Sequence, residues 1–336
     1  MSVRFGKLLL ASVALAGLTV VVQASTNLAA LKSQYVRPKH IDFPQSNPYS
    51  PAKAELGKIL FFDPRLSAKS ALACVSCHNP SFGWEDGRAR GIGHDMQVLG
   101  RSTPTVQNVA WGIEFFWDGR APTLEKQSVG PIENAKEMAM DLNTLSGKLK
   151  QIPGYRARFD EVFPGKGITP ETIGMAIATF QRTVVSGPAP FDRWIEGDEK
   201  AISENAKRGF ALFNGKASCA ACHSTWRFTD DGYHDIGLPS TDIGRAAIVP
   251  GVEVLKHAFK TPGLRNASRR RPFMHDGSIA TLEAVVRHYD SGFVTRPSLS
   301  SEMKPLKLTD TEVKDIVAFL ETLNSEDPPM ATPLLP

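Results

Sequence analysis

Residues 74–78 read CVSCH and residues 219–223 read CAACH, so one pattern occurs twice in a chain of 336 residues. The two motifs use all four cysteines of the chain. Two thiols three positions apart lie on the same side of a helical turn, where they can form thioether bonds with the two vinyl groups of a haem. The histidine that follows presents its imidazole to the iron. The predicted attachment residues of two c-type haems are Cys74, Cys77 and His78, and Cys219, Cys222 and His223.

Two disulfides or a zinc site are alternative uses of these four cysteines. Either one accounts for the thiols. Neither explains why a histidine follows the second cysteine in both motifs. The paired histidines therefore favour covalently bound haem c in both halves of the chain.

The likeness between the two halves continues beyond the cysteine motifs. "TPTVQN" at 103–108 recurs as "TPGLRN" at 261–266, and "WDGRAPTLE" at 117–125 recurs as "HDGSIATLE" at 275–283. Both pairs are offset by 158 positions (261 − 103 and 275 − 117). A repeat of this length predicts two similar haem domains related by internal duplication.

Local patterns elsewhere predict helices. Thr169-Pro170-Glu171 is a cap and first turn, and Thr309 with Glu312 forms a capping-box pattern. In the helix predicted after the first cap, one face carries Ile173, Ile177, Phe180 and Val184. Strand patterns are scarce, and the 27 glycines and 24 prolines concentrate in connections. We therefore predict an all-α fold of two cytochrome c-like domains with long irregular loops.

The domain boundary is predicted in the segment "SGPAPFD", residues 186–192. This segment is rich in glycine and proline and lies between the two cysteine motifs. This boundary gives an N-terminal haem domain over residues 25–186 and a C-terminal haem domain over residues 187–336.

The first two dozen residues have the pattern of a signal peptide. Arg4 and Lys7 precede an apolar run, and small residues up to Ala24 form a cleavage pattern. The run is shorter than the roughly 20 apolar residues that cross a bilayer. We predict a cleavable signal peptide over residues 1–24, a periplasmic location and no membrane span in the mature chain. Without Arg4 and Lys7, 37 of the 39 basic residues remain against 35 acidic ones, so the net charge is about +2. A charge this small does not indicate a nucleic-acid partner.

The segment "VVRHYDSG", which begins at residue 285, contains a tyrosine on a predicted helix face. The i, i+3, i+4, i+7 spacing collects Leu282, Val285, Val286 and Tyr289. The 158-residue offset makes Pro131 the counterpart of Tyr289, and proline cannot ligate iron. If Tyr289 ligates the iron of the second haem, the first haem has no ligand from the equivalent position and stays open to a small substrate. The alternative is a core tyrosine whose hydroxyl finds a hydrogen bond, with Met274 and Met303 as the fallback ligands.

These residues together resemble the bacterial di-haem cytochrome c peroxidase and MauG family over nearly the whole mature chain. The resemblance implies that the N-terminal haem is the peroxidatic one. It matches the family's tryptophan between the haems to Trp117, and its distal glutamine and glutamate to Gln127 and Glu137. A GHxxQ segment, whose histidine is a removable iron ligand in conventional peroxidases, matches here at His94.

The resemblance also bears on the second haem and on calcium. Conventional members carry an axial methionine where this chain has Tyr289, whereas MauG-like members carry a tyrosine. The family's inter-haem calcium site maps to the side chain of Ser102 and the carbonyls of Arg270 and Pro272, although the usual asparagine is a serine here. MauG's surface relay tryptophan corresponds to Ala217, which implies a different exit route or partner.

A carboxylate near an open ferric haem can accept a proton from hydrogen peroxide and return it to the departing oxygen. Glu137 is the predicted acid–base residue. Spacing alone also allows an exposed helical glutamate at this position, and Glu133 is the competing acid.

The favoured function is a periplasmic, hydrogen-peroxide-dependent di-haem oxidoreductase of the MauG-like branch. It would oxidise a partner protein by long-range electron transfer through a high-valent di-haem state. The expected partner is a small cytochrome c, a cupredoxin or a protein with an oxidisable tryptophan. One alternative is a conventional cytochrome c peroxidase that reduces peroxide to water, which His94 favours and Tyr289 disfavours. The other is a non-catalytic di-haem electron carrier.

Overall fold

The computed structural model describes residues 28–336, and helices provide most of the regular structure in that range. The predicted signal peptide, residues 1–24, lies outside the described residues. Residues 28–33 are helical. The α-helices that follow them are α1 (Pro51–Phe62), α2 (Cys74–Cys77), α3 (Leu124–Glu133), α4 (Leu142–Lys150), α5 (Pro153–Val162), α6 (Pro170–Thr183), α7 (Pro190–Ile195), α8 (Glu204–Asn214), α9 (Leu282–Arg287) and α10 (Asp310–Glu321). The predicted all-α class is confirmed.

Short turns and a very small sheet complete the backbone. Single turns of 3₁₀ helix span Pro64–Leu66, Pro80–Phe82, His94–Met96, Val109–Trp111, Cys219–Ala221, Arg245–Ala247, Glu253–Leu255 and Ala267–Arg269. A π-helical turn covers His288–Gly292. Strands β1 (Tyr233–His234) and β2 (Phe259–Lys260) pair antiparallel, with Tyr233 opposite Lys260.

The two helix starts predicted from capping residues are confirmed. The hydroxyl of Thr169 accepts a hydrogen bond from the backbone N–H of Thr172, and Pro170 occupies the first position of α6. At α10, the Thr309 hydroxyl and the Glu312 carboxylate each accept from the other residue's backbone N–H. These contacts satisfy N–H groups that a helix start otherwise leaves without partners.

Each half of the chain has its own apolar core around one pair of crossing helices. In the first half α1 crosses α6, and in the second half α8 crosses α10. The first core contains Leu56, Ile59, Phe61, Ile177 and Phe180. The second core contains Tyr35, Phe191, Phe210, Phe213 and Phe319. Residue 35 therefore packs on the second core although it precedes the first.

A glycine lies at the crossing point of each helix pair. A Cβ on Gly57 of α1 would overlap the carbonyl oxygen of Ala176 in α6, and a Cβ on Gly209 of α8 would overlap that of Asp315 in α10. The backbones therefore approach more closely than any side chain allows. A glycine at the crossing point in both halves supports the interpretation that the halves are duplicates.

We expect Gly57→Ala to lower the free energy of unfolding by about 1–3 kcal/mol, because the helices must separate to admit the methyl group. Gly147→Ala is the matched control, since Gly147 lies in α4 and no atom from outside its own stretch of helix lies within 4 Å of the place that its methyl group would occupy. There the better helix propensity of alanine should stabilise by about 0.5–1 kcal/mol. Denaturant titration of the haem-loaded protein measures both, and equal shifts in the two variants would contradict the close-crossing account.

Backbone details repeat with the offset of 158 that the sequence shows. Asn108 and Asn266 both have left-handed backbones, with φ of 61° and 59°. The caps of α3 and α9 are Thr123 and Thr281. The isolated bridge between residues 115 and 121 recurs between residues 273 and 279. The predicted internal duplication is therefore confirmed in the fold, while the boundary at residues 186 and 187 stays a prediction.

The helices of the described range are short relative to a bilayer. Between residues 28 and 336, no helix has the length and apolar content needed to cross a membrane.

Candidate functional site

The first cysteine motif forms the short helix α2. Its thiols, Cys74 and Cys77, are free, and His78 follows directly. The Nδ1 atom of His78 lies 3.3 Å from the carbonyl oxygen of Trp84. An Nδ1–H that donates to a carbonyl leaves the Nε2 lone pair available to a metal. Burial lowers the pKa of His78, which favours the neutral, ligating form of the imidazole.

The second motif repeats this arrangement. Nδ1 of His223 lies 2.9 Å from the carbonyl oxygen of Phe228, and burial again lowers the pKa of this histidine. Burial raises the pKa of Cys74 and of Cys219 to about 12, so these thiols are neutral and not reactive thiolates. All four cysteines are free in the part of the chain that the structure describes, without a disulfide between them.

A cavity lies beside each motif. The first cavity is lined by His78, Phe115, Phe116 and Gln127, among others, and its empty space is about 960 Å³, part of it open to solvent. The second cavity is lined by both cysteines of the second motif, by His223 and by many apolar side chains, and its empty space is about 1620 Å³, part of it open to solvent. Two thiols and an imidazole oriented by a carbonyl are what a c-type haem requires, so the residues of both motifs fit this group. Both thiols and the imidazole of the second motif border the second cavity, whereas His78 alone of the first motif borders the first.

Trp117 lines both cavities. Its indole N–H donates to the carbonyl oxygen of Ser102 at 2.9 Å, and its own carbonyl accepts from the backbone N–H of Lys260 at 2.8 Å. The residues that line both cavities, called the dividing wall below, are Glu85, Trp117, Lys260, Pro262, Gly263 and Arg270. Trp117 thus lies between the two cavities, and its role between two haems stays a prediction.

The dividing wall carries buried charges. Arg270 donates to Glu85 at 3.0 Å, while its buried Nε has no hydrogen-bond partner within residues 28–336. Burial raises the pKa of Glu85 to about 7, although Arg270 opposes the shift. Burial also lowers the pKa of Lys260. A buried guanidinium N–H without a partner suits an anionic group such as a haem propionate.

Tyr289 lines the second cavity together with Cys219, Cys222 and His223. Burial first, and then the neighbouring Cys219 and Cys222, raise the pKa of its phenol. Among the described residues nothing hydrogen-bonds to its hydroxyl, so the phenol oxygen is free to bind a group in the cavity. Met274 and Met303 line the same cavity, so the choice of iron ligand stays a prediction.

The backbone at Tyr289 differs from the regular helix expected there. α9 ends at Arg287, and the chain continues as a single π-helical turn. Contacts from other segments hold this wider turn: Nε2 of His288 lies 2.9 Å from the Ile236 carbonyl, and Asp290 accepts from the N–H of Leu308. Such turns often occur at functional sites, and their cause is tertiary, not local.

Gln127 and Glu137 lie near the first motif. Gln127 is on α3 and lines the first cavity. Glu137 is half-buried in the turn after α3, where Asn134 donates to its carboxylate at 2.7 Å, so it is not the exposed helical glutamate that spacing alone allowed. Burial raises its pKa, and its charge in turn raises the pKa of both Cys74 and Cys77. Glu133, the competing acid, is exposed at the end of α3.

His94 lies in a tight turn against the Glu137 segment. Its backbone N–H donates to the carbonyl of Glu137 at 2.8 Å, and a ring nitrogen lies 3.4 Å from a carboxylate oxygen of Asp95. The next two residues, Asp95 and Met96, both have left-handed backbones. This turn therefore brings His94 close to the predicted acid–base residue.

The three predicted calcium ligands, Ser102, Arg270 and Pro272, line the second cavity. The Ser102 hydroxyl donates to the carbonyl of Met274 at 2.9 Å. Calcium binding stays a prediction.

Sequence reasoning did not identify Glu85 and Lys260 as residues of the dividing wall. Neither lies in a motif, and their sequence neighbours contain no signal for a buried charge. Only contacts between the two halves of the chain bring Glu85 and Lys260 beside Trp117.

Comparisons with known proteins agree with this arrangement. A family model described as di-haem cytochrome c peroxidase matches residues 51–200, and a cytochrome c model matches residues 206–324. The chain is 52% identical to the methylamine utilization protein MauG of Methylorubrum extorquens, covering 92% of this chain and 89% of that protein. It is 39% identical to the cytochrome c551 peroxidase of Nitrosomonas europaea, covering 84% of this chain and 83% of that protein. A crystal structure of a MauG-like protein associated with microbial copper homeostasis superposes with a TM-score of 0.80 at 30% identity. The match covers 87% of this chain and 94% of that protein.

Proposed function

Because the chain belongs to the di-haem cytochrome c peroxidase and MauG family, we propose that it is a periplasmic, hydrogen-peroxide-dependent oxidoreductase of the MauG-like branch, which oxidises a partner protein. The observation that carries the choice of branch is Tyr289, which borders the second cavity beside His223 with no hydrogen-bond partner among residues 28–336. Identities of 52% and 50% to proteins named for methylamine utilization support a partner in that process.

The haem irons, when bound, supply the redox chemistry toward peroxide. His78 and His223 would hold the irons, each oriented by a backbone carbonyl. Tyr289 is the proposed second protein ligand at His223's haem. A phenolate favours the oxidised state of iron, whereas methionine raises the potential. The second centre would then rest ferric.

Glu137 and Gln127 are the proposed groups that assist peroxide activation at the first haem. Gln127 lines the first cavity, and Glu137 lies near the first cysteine motif. Glu137 accepts a proton from hydrogen peroxide and returns it to the departing oxygen. Its raised pKa brings the protonated and ionised forms closer in free energy at neutral pH, which suits a group that must do both. Trp117, in the dividing wall, is the proposed electron path between the centres.

The deciding experiment treats the diferric protein with hydrogen peroxide and records optical and Mössbauer spectra. Oxidation of both irons beyond the ferric state supports the proposal. Reaction only after one-electron reduction would instead indicate a conventional cytochrome c peroxidase, which His94 favours. Absence of reaction in either state would indicate an electron carrier.

His94→Ala should leave the peroxide reaction of the diferric protein unchanged. A tyrosinate-ligated second haem is hard to reduce. If His94 left the first iron only after that reduction, it would block the enzyme permanently. We therefore infer that His94 is absent from the iron at rest or dissociates readily. Stopped-flow optical mixing measures the rate in the variant and the parent. A much faster reaction of the variant, with loss of a low-spin ferric signal, would show that His94 does occupy the iron.

A further inference from the structure

Tyr233 forms a hydrogen-bonded pair with a carboxylate on the outer side of the small sheet. Adjacent residues of a strand point to opposite faces: His234 lines the second cavity, and Tyr233 faces away from it. The Tyr233 hydroxyl donates to Oε2 of Glu114 at 2.7 Å. Arg245 donates to the other oxygen of Glu114 at 3.0 Å, and its guanidinium lies 4.4 Å from the centroid of the Tyr233 ring.

This pair lies next to Trp117. Tyr233 is opposite Lys260 in the sheet, and the N–H of Lys260 donates to the Trp117 carbonyl. The phenol also packs on Gly119, where any Cβ would overlap its hydroxyl. Tyr233 therefore pairs directly with Lys260 of the dividing wall and also contacts Gly119, two positions after Trp117.

The same pair reaches the surface. Tyr233 is partly exposed, and the side chain of Glu114 is 34% exposed. Ile113, beside Glu114, is 69% exposed. By contrast, Ala217, two residues before the second motif, is buried and has no aromatic ring. Tyr233 is thus an oxidisable side chain that lies beside the dividing wall and is also partly exposed to solvent.

We propose that Tyr233, with Glu114 as its proton acceptor, is a redox relay that carries oxidising equivalents from Trp117 to a partner protein docked at this surface. The proposal rests on the proposed function. Tyr233 gives one electron to oxidised Trp117, and its hydroxyl proton passes to Oε2 of Glu114, which leaves a neutral tyrosyl radical. An electron from the partner and the proton from Glu114 restore the phenol. Hydrogen peroxide is the terminal oxidant, taking two electrons and two protons to form two waters, so each peroxide supports two cycles of the relay.

The charges around Tyr233 couple the electron to the proton. A guanidinium over the ring disfavours positive charge on it, so an electron leaves only as the proton leaves. Burial and the hydrogen bond to Glu114 raise the pKa of Tyr233, which keeps the resting phenol protonated. Burial opposes ionisation of Glu114, but its hydrogen bonds with Tyr233 and Arg245 lower its pKa overall, so the acceptor is ionised.

A second tyrosine–carboxylate pair in the protein provides a matched control. Tyr155 donates to Asp63 at 2.5 Å, and Arg65 also binds that carboxylate. This pair is buried in the first core and does not line the dividing wall. Tyr155→Phe therefore removes a similar hydroxyl without affecting the proposed relay.

The test is electron paramagnetic resonance of samples frozen at once after hydrogen peroxide is added to the haem-loaded protein, with the haem spectra recorded in parallel. We expect a tyrosyl radical signal that narrows with ring-deuterated tyrosine. It should be lost in Tyr233→Phe, retained in Tyr155→Phe and strongly reduced in Glu114→Gln, and its formation should slow in D₂O.

The outcomes separate the relay from the function on which it rests. Haems that react with peroxide while no tyrosyl signal forms, or while Tyr233→Phe keeps the signal, would overturn the relay alone. An undiminished signal in Glu114→Gln would overturn its proton-acceptor part. Haems that do not react with peroxide would overturn the relay and the proposed function together.

Discussion

Glu137→Gln should slow the reaction of the ferric protein with hydrogen peroxide by roughly 10²–10⁴-fold, the usual contribution of a general acid–base residue. Glutamine keeps the shape of the side chain and can still bond to Asn134, but it cannot take up the peroxide proton. The location of Glu137 supports this role, because its charge is felt at both cysteines of the first motif. Stopped-flow mixing of the diferric protein with peroxide measures the rate.

Glu133→Gln is the matched control for this change. It removes the same charge from the same region, but from an exposed position at the end of α3. Its rate should stay at that of the parent. Equal losses in the two variants would point to a general charge effect, and no loss in either would exclude Glu137 as the acid–base group.

The pH dependence of the same reaction should carry the signature of Glu137. A base must be ionised to accept a proton, so the rate should fall as the pH drops through its pKa. Burial raises that pKa, which moves the loss toward neutral pH compared with an ordinary glutamate. Glu137→Gln should lack this acidic limb altogether, provided the spectra show both haems intact across the range.

Tyr289→Met should raise the reduction potential of the second haem by a few hundred millivolts, equivalent to roughly 5–10 kcal/mol for one electron. Methionine raises haem potentials, whereas an anionic phenolate stabilises the ferric state. The second centre should then become reducible under mild conditions. Spectroelectrochemical titration of the haem-loaded protein measures the potential of each haem.

Tyr289→Phe, which removes the ligand without offering another, tests the same assignment by spectrum, and Tyr35→Phe is its control. Tyr35 is buried in the second core and donates to Asn214 at 2.6 Å, so its loss should leave the haem spectra unchanged. Identical potentials and spectra in the parent and both Tyr289 variants would transfer the ligand role to Met274 or Met303. Leucine at either methionine would then identify which.

Features that depend on neighbouring residues could be read from the chain directly. The CxxCH motifs, the caps at Thr169 and Thr309, and the repeat with its offset of 158 all appear in the structure as expected. The reason is that thioether spacing, helix capping and turn conformations are set by residues within a few positions of one another.

Other features depend on residues far apart in the chain. The regular helix expected at Tyr289 gives way to a π turn, because His288 and Asp290 bond to distant segments. The burial of Glu137 could not be distinguished from exposure by spacing alone. The pairing of Tyr233 with Glu114, 119 positions apart, leaves no trace in either local segment.

The sequence by itself determined that two haem c domains arise by duplication and that the halves differ at positions 131 and 289. Only the tertiary structure decided that Trp117 shares a wall with both cavities, which of two nearby glutamates is shielded from water, and where an oxidisable side chain meets the surface. The physical reason is that burial and charge coupling arise from packing between segments distant in sequence, whereas attachment chemistry is complete within five consecutive residues.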